Sequence, residues 1–435
     1  MGIDRQGGFR NWAGNQSCRP KVAIAARTLS DVSAAVEQAT REGRRVRAIG
    51  AGHSFTGAAL TDGTLLDLSA MNRVERIKPE SGVAMVGAGI RLRELSAALH
   101  AAGRALPNLG DIDVQTLAGA TATGTHGTGA ALPNLSAGIV GFELVTATGD
   151  VMWCDGDENA EVFDVGRVSL GALGVITRIA VETVPAFSLR SVETQELVDD
   201  VMCDWDAFVA SAEHAEFFWM PGTRRCLVKR NDRTDQSPTR LGTMRAAAEK
   251  LVLENVAFGT AMRVGRRFPA ARPRIQKLIG AAAGSSERVD VSHRIFATPR
   301  HVRFLEMEYG VPVDAVPMAF AAVQELVAGM DDPPGFPVEV RVSAADDIPL
   351  STGCGRDSGW IAVHRYKGLD HKPYFGAVEA IMREHGGRPH WGKLHDRSAA
   401  DLAPAYARWD DFITVRDRLD PTRTFTNDYL DRVFG

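Results

Sequence analysis

The segment Arg45-Val46-Arg47-Ala48-Ile49-Gly50-Ala51-Gly52-His53-Ser54-Phe55-Thr56-Gly57 constrains the fold more than any other stretch of the chain. Val46, Ala48 and Ile49 read as a short strand, and Gly50 and Gly52 then free the backbone to curl with its N–H groups turned inward. Successive donors in such a turn form a nest that cradles phosphate oxygens without a lysine. His53 stands at its rim. Taken alone, a histidine after a glycine turn is more often a hydrogen-bonded loop residue; the neighbouring segments decide the matter.

Residues 21 to 29 offer a strand, and Ser30 is expected to cap a helix whose buried face is Val32, Ala35, Val36 and Ala39, ended by Gly43. Strand, helix, strand and glycine turn thus arrive in the order of an α/β unit that presents a loop at a strand's end. Leu65 to Leu68 and Val83 to Val86 read as further strands. After the latter, Gly87-Ala88-Gly89 leads into a helix expected to turn Leu92, Leu95, Leu99 and Ala102 inward. A dinucleotide fingerprint needs a third glycine where this chain has Leu92, so no such site is expected there.

From Leu106 to Gly129 the sequence reads LPNLGDIDVQTLAGATATGTHGTG, almost without bulky side chains. Small residues over such a length let backbone approach a flat ligand, while threonine hydroxyls and free N–H groups supply polar contacts. The ordered placing of Leu117, Ala118 and Ala120 separates it from a flexible linker. His126 is a second histidine at the rim of a glycine turn. A hairpin around Thr148-Gly149-Asp150 follows, then a strand from Val175 to Val184 with Ile176, Arg178, Ala180 and Glu182 on one face, stopped by Pro185. Composition shifts there, which places a domain boundary near residue 186.

In the second half, 231–240 reads as an exposed loop and 241–284 as largely helical, from Met244 to Val256 and again after Pro273. Pro333-Pro334-Gly335 is a turn before the strand Val338-Glu339-Val340-Arg341-Val342. Period two puts Glu339 and Arg341 on one face, about 7 Å apart along the strand, where they can pair. Trp360 to Tyr366 is a neighbouring strand with Ala362, His364 and Tyr366 on one face. Arg388-Pro389-His390-Trp391-Gly392-Lys393-Leu394-His395 crowds basic and aromatic side chains together, and a helix over Asp401 to Arg418 and a tail follow. Carboxylate, arginine, histidine and lysine are the groups a polyol or sugar site needs to orient hydroxyls and move a proton.

A chain of 435 residues predicts two domains or three. Its net charge of −4 argues against a nucleic-acid surface. Cys18, Cys154, Cys203, Cys226 and Cys354 lie far apart with no CxxC pair, so neither a zinc site nor a disulfide framework is suggested, and a reducing compartment fits. Met1-Gly2-Ile3-Asp4-Arg5-Gln6 shows no basic region followed by an apolar core, so no signal sequence is expected, and no apolar run reaches the roughly 18 residues of a membrane span. A cytoplasmic protein is expected, with room for peripheral attachment to a membrane through a partner.

The segments RAIGAGHSFTG, AGATATGTHGTG, VEVRV, HWGK and FTNDYL, in that order, resemble the sugar-1,4-lactone oxidases of the vanillyl-alcohol oxidase flavoprotein superfamily, over about residues 15 to 432. The resemblance implies an α+β fold: a two-subdomain PCMH-type FAD-binding domain over 1–185, a capping substrate domain with a mixed or antiparallel sheet flanked by helices over 186–395, and a C-terminal helix and tail over 396–435 that return to the FAD domain. It implies FAD contacts from Ala48, Ile49, Gly50, Ala51, Gly52, His53, Ser54, Asp111, Thr116, Gly119, Ala120, Thr123, Gly124, His126, Gly127, Gly174, Val175 and Ile176. In relatives with a histidine at the place of His53 the imidazole is bonded to the flavin's 8α-methyl; bicovalent relatives add a cysteine, which the neighbours of Gln115-Thr116-Leu117 do not supply.

By the same comparison Glu339, Arg341 and Lys393 resemble the groups around the reacting carbinol. Lys393 or Arg341 would stabilise negative charge on the substrate alkoxide or near flavin N1, with Glu339 orienting the hydroxyls and the two cations; His364 and His390 rank behind them. No metal is implied. Asp111 falls where alditol-oxidising relatives place a serine. The implied reaction is oxidation of a small-molecule sugar lactone at a secondary carbinol, giving a ketolactone that tautomerises to an ascorbate-type ene-diol. Oxygen, cytochrome c or a quinone would reoxidise the flavin, with Thr125 and Ala122 as candidates lining the oxygen's path. Competing readings are an alditol oxidase on the same fold, a non-catalytic flavin-binding protein, and a hydrolase using Gly52-His53-Ser54 as a nucleophile elbow, which Thr56 disfavours because the motif wants glycine there.

Overall fold

The computed structural model describes residues 7–78, 80–238, 259–268, 284–298 and 302–435. The helices expected from Met244 to Val256 and directly after Pro273 lie outside these residues.

Three sheets carry the fold. The first is a parallel three-stranded sheet in which Thr64–Asp67 lies between Val22–Ala25 and Val46–Ile49. The helix Leu29–Arg41 covers it with Val32, Ala35, Val36 and Ala39. Its cap is Thr28 rather than Ser30: the Thr28 hydroxyl accepts from Asp31 N at 3.1 Å and the Asp31 carboxylate accepts from Thr28 N at 2.9 Å, a reciprocal box that a cap at Ser30 would forgo.

The second sheet has five strands in the order Val151–Asp155, Ile139–Val145, Val175–Glu182, Val83–Gly87, Val74–Lys78, every neighbouring pair antiparallel. This removes the parallel setting that a dinucleotide fold requires after Val83–Gly87. The helix Leu92–Ala101 buries Leu92, Leu95, Ser96 and Leu99. Ala102 is exposed, contrary to expectation, because the helix has ended there and the chain is turning.

The third sheet has eight strands, with Ser286–Val291, Ser188–Leu197, Arg225–Thr234 and His214–Trp219 on one side and Val338–Ser343, Ser358–Tyr366, Phe304–Pro312 and Arg388–Pro389 on the other. All its pairings are antiparallel. The loop expected at 231–240 begins later, since Asn231 to Thr234 continue the Arg225–Thr234 strand and Asn231 is buried opposite Ser191 and His214.

Alternation splits this sheet cleanly. Val338, Val340, Val342, Met307, Tyr309, Phe217 and Val228 point into a core closed by the helices Val316–Ala328 and Lys372–Glu384. Their neighbours in sequence, Glu339, Arg341, Glu306, Glu308, Glu216 and Lys229, point to the opposite face. Burying one such Val or Phe contributes roughly 1.5–3 kcal/mol, so the apolar set fixes the register and the charged set is carried with it.

The helix expected over Asp401–Arg418 is broken. Ala399–Leu402 is followed by a tight turn at Ala403–Ala405, and Trp409–Leu419 forms a second helix. Pro404 removes the backbone donor that a continuous helix would need. The chain then returns to the first sheet: Val46 N donates to Thr424 O at 2.7 Å, and the Asn427 amide donates to the carbonyls of Gly57, Ala58 and Leu60 at 3.0, 3.1 and 2.8 Å. Among the described residues no helix is long and apolar enough to cross a membrane.

Candidate active site

Two cavities meet at His53. The smaller, about 140 Å³, is lined by Ala48, Ile49, Gly50, Ala51, Gly52, Ser54, Thr116, Gly119, Thr123, Gly174, Val175 and Ile176 among others. The larger, about 490 Å³, is roofed by the charged face of the eight-stranded sheet. His53, Ser54, Gln115 and Thr123 line both.

The smaller cavity is a backbone cradle. Among the described residues the N–H groups of Ala51, Gly52, His53 and Ser54 donate to no protein acceptor, which leaves the turn open to an anion. Gly52 sits at φ +68°, and a Cβ on Gly50 would lie 2.2 Å from the Thr116 hydroxyl, so a side chain is disfavoured at both positions. Beneath it, the buried Arg47 guanidinium donates to the carbonyls of Ala58, Gly171, Phe425 and Leu170, tying the turn to the loop at 170–171 and to the C-terminal tail. Burial lowers its pKa to about 10.

His53 stacks on Trp12 with ring centroids 5.5 Å apart. Its Nε2 is buried without a hydrogen-bond partner. Burial first, then the nearby Arg91 and Lys393, lowers the imidazole to about 4, so the ring is neutral at physiological pH.

The larger cavity holds two charged clusters. In one, Arg341 Nη2 meets Asp111 Oδ1 at 2.5 Å and pairs with Glu339, while Nε donates to Glu216 at 2.9 Å. Glu216 in turn holds Lys229 Nζ at 3.0 Å. Burial alone would lower Arg341, but Asp111, Glu339 and Glu216 outweigh it and hold the guanidinium well above its ordinary value.

In the other cluster Lys393 pairs with Glu306 and lies 3.7 Å from Glu308. Burial is the largest single influence and would raise both carboxyls, but Lys393 together with His364 at Glu306, and with His126 and His390 at Glu308, outweighs it, holding Glu306 at about 2 and Glu308 well below the usual carboxylate range. His364 Nε2 approaches Glu306 at 3.6 Å and His126 Nε2 approaches Glu308 at 3.3 Å. His390 accepts from Gly392 N at 2.9 Å and is driven by burial to about 3. The loop carrying His390 and Lys393 is fastened to the glycine turn, because Phe55 N donates to Gly392 O at 2.8 Å and Thr56 Oγ1 to Trp391 O at 3.4 Å.

The fold therefore gathers Glu339, Arg341, Lys393, His364 and His390 around one cavity with His53. Asp111 and His126 also face this larger cavity rather than the cradle: Asp111 is drawn there by Arg341, and His126 stacks on Trp360 at 3.6 Å between ring centroids. Ala120 is fully buried in the core, Gly127 packs against Asn108 and Leu109, and Gly124 turns the chain at φ +66° out of the helix Leu117–Ala122, so these three line neither cavity. Thr125 lines the larger cavity and Ala122 the smaller.

Four site residues escaped the sequence reading: Glu216, Lys229, Glu306 and Glu308. For Glu216, Glu306 and Glu308 the signal was available as charges set by period two in otherwise apolar strands, HAEFFW and FLEMEYGVP, whereas Lys229 is hidden among the other charges of RCLVKRNDRT.

The cradle and the charged chamber together define an FAD-dependent oxidoreductase acting on CH–OH groups. A family model described as "FAD binding domain" matches residues 20–155, and one described as "D-arabinono-1,4-lactone oxidase" matches residues 179–433. L-gulono-1,4-lactone dehydrogenase of Mycobacterium tuberculosis is 42% identical over 429 residues, 98% of this chain and 99% of that protein. L-gulonolactone oxidase of Scyliorhinus torazame is 32% identical over 98% of both chains. Among solved structures, a solvent-stable cholesterol oxidase superposes with a TM-score of 0.82 at 20% identity, covering 98% of this chain and 96% of that one, which speaks for the fold alone. The chain belongs to the D-arabinono-1,4-lactone oxidase family.

Proposed function

We propose that the protein oxidises a secondary carbinol of a sugar-1,4-lactone of the L-gulono-1,4-lactone type, using FAD linked to His53. The observation that carries this reading is the placement of Glu339, Arg341 and Lys393 around one chamber whose wall includes His53. The cradle fits the cofactor: its unengaged N–H groups suit a pyrophosphate, its floor admits no side chain at Gly50, and the unpartnered Nε2 of His53 supports a neutral ring available for bonding.

When bound, FAD supplies the acceptor for the hydride that leaves the carbinol carbon. The chain's own groups do the rest. Glu339 accepts the hydrogen bonds of the substrate hydroxyls and Lys393 and Arg341 face the oxygen where negative charge grows; one such preorganised group contributes about 3 kcal/mol to lowering the barrier. Arg341 cannot swing away, because carboxylates hold both its Nε and its Nη2. Asp111, engaged by Arg341, faces the same chamber, where alditol-oxidising relatives place a serine. Residues 1–185 would form the FAD-binding unit, 186–395 the cap, and 396–435 the returning tail, in a cytoplasmic protein that passes electrons to oxygen, a cytochrome or a quinone.

Mixing the purified yellow protein anaerobically with L-gulono- and galactono-lactones and with xylitol tests the reading. Bleaching by a lactone at least tenfold faster than by xylitol is expected; bleaching by xylitol alone would replace the lactone with a polyol, and no bleaching by either would leave a flavin-binding protein.

A further inference from the structure

Three separate segments meet at the outer wall of the larger cavity, and each carries an aromatic residue facing inward next to a cation facing out. Trp12 lies two residues from Arg10, Phe304 follows Arg303, and Tyr366 precedes Lys367. The aromatic rings form a continuous line of contacts from the cofactor side to the surface, stacked at its two ends and edge-on or tilted between them. His53 to Trp12 is 5.5 Å between centroids, Trp12 to Phe304 5.3 Å, Phe304 to Phe336 5.4 Å and Phe336 to Tyr366 6.4 Å. Trp12 and Tyr366 are both partly exposed, while Trp12, Phe304 and Phe336 line the cavity.

The cations at the outer end are crowded together. The Lys367 ammonium lies over Gly14 beside the Arg10 stem, Lys367 N donates to Arg303 O at 3.3 Å, and the Arg266 guanidinium lies over Gly368. Arg10, Arg266 and Arg303 are exposed, and among the described residues none of the four cations is paired with a carboxylate. Lys367 is lowered by burial and then by Arg303 and Arg10, with no acidic group offsetting them. The nearby carboxylates in sequence are engaged elsewhere: Asp332 is held by Arg365, and Asp370 accepts from Lys372 N. A bare positive cluster on a chain of net charge −4 is a local departure that the folded core does not need.

We propose that Arg10, Arg266, Arg303 and Lys367 form the docking surface for an acidic one-electron acceptor protein, seated at the outer end of the packed line of rings that leads back through Trp12 to His53, through which the electrons tunnel without residing on any ring. The proposal rests on the oxidoreductase reading above. Converting a CH–OH carbon to C=O releases two electrons and two protons; the electrons leave singly to two acceptor molecules in turn, and the protons go to solvent. An acidic protein is favoured over an anionic membrane because the patch sits at the end of the line of packed rings that leads to the cofactor side, which a lipid surface would not use.

The test compares the wild-type holoenzyme with the double variant Arg303→Glu/Lys367→Glu, both outside the catalytic chamber. The soluble domain of cytochrome b5 serves as the acidic haem probe, phosphatidylserine vesicles as the anionic surface, and a neutral short-chain quinone as a small acceptor. Wild-type protein should bind the haem probe with an affinity that falls as salt rises, and the double variant should bind it at least tenfold more weakly. Lactone-driven quinone reduction should stay within about twofold. Equal affinity of wild type and variant for the haem probe overturns the proposal, as does wild-type binding to the vesicles with none to the probe. Loss of quinone reduction in the variant also overturns it, since the cations would then serve the chamber. Failure of the wild type to reduce quinone with any lactone would count against the oxidoreductase reading instead, with the binding comparison still deciding the docking surface.

Discussion

Glu216→Gln is the sharpest probe of how the chamber is held. Glu216 stands behind Arg341, accepting from its Nε at 2.9 Å and from Lys229 Nζ at 3.0 Å, with its side chain 3% exposed. A glutamine can turn its carbonyl toward only one of the two cations, and its NH₂ then faces the other, so one buried donor loses its acceptor. Charge-assisted hydrogen bonds contribute about 1.5–3 kcal/mol against about 1 for neutral ones, and the loss is partly offset because three carboxylates no longer crowd one guanidinium. The net is roughly 2 kcal/mol, or about a thirtyfold fall in kcat/KM.

The variant should also shift the pH profile. Burial pulls the Lys229 ammonium down, and Glu216 is the foremost group holding it above its ordinary value. Removing that carboxylate lets Lys229 lose its proton at lower pH, so the alkaline limb of kcat/KM moves down while flavin content stays unchanged. Steady-state rates on L-gulono-1,4-lactone with a neutral quinone, followed from neutral to alkaline pH, read both effects. An efficiency within roughly threefold of wild type together with an unmoved alkaline limb would refute the argument.

Other consequences are simpler to read. His53→Ala should leave flavin that acid precipitation releases into the supernatant, whereas wild-type flavin stays in the pellet; flavin retained in the variant pellet would place the link elsewhere. Lys393→Ala should cut turnover by about two orders of magnitude with little loss of flavin. It should also flatten the acid limb of stability. The Glu306 carboxyl, held at about 2 against an ordinary 4.5, contributes stability that is full above its unfolded value and is lost as pH falls toward 2; without Lys393 that depression shrinks, so scanning fluorimetry through the acid range should show a shallower decline in Tm for the variant. Asn427→Ala should cost about 1–3 kcal/mol, visible as a lowered Tm, because three carbonyls of the 57–60 loop and the N–H of Leu430 lose their partner.

The parts of the site that lie on one local pattern were legible in the sequence. The glycine turn at 50–52 announces itself because only glycine fits it, and Glu339 and Arg341 announce their shared face through period two. What escaped was assembled at long range. Glu216 and Arg341 are 125 residues apart, and nothing near Glu216 reveals the cation it will meet. Asp111 sits in a glycine-rich run that otherwise serves the cradle, yet Arg341 draws it to the other chamber. The cap of the first helix moved to Thr28 because a reciprocal partner, Asp31, outcompeted a simple hydroxyl at Ser30.

The return of the C-terminal tail to the first sheet bears on how the protein is made. Thr424, Phe425 and Asn427 supply bonds to Val46, Arg47 and the loop at 57–60, so a pocket begun near the chain's start is finished only by its end. A nascent chain on the ribosome thus holds an incomplete nucleotide seat until residues 424–427 have emerged. Loading of the flavin thereby becomes a late event, one that waits for residues 424–427 to dock on the first sheet.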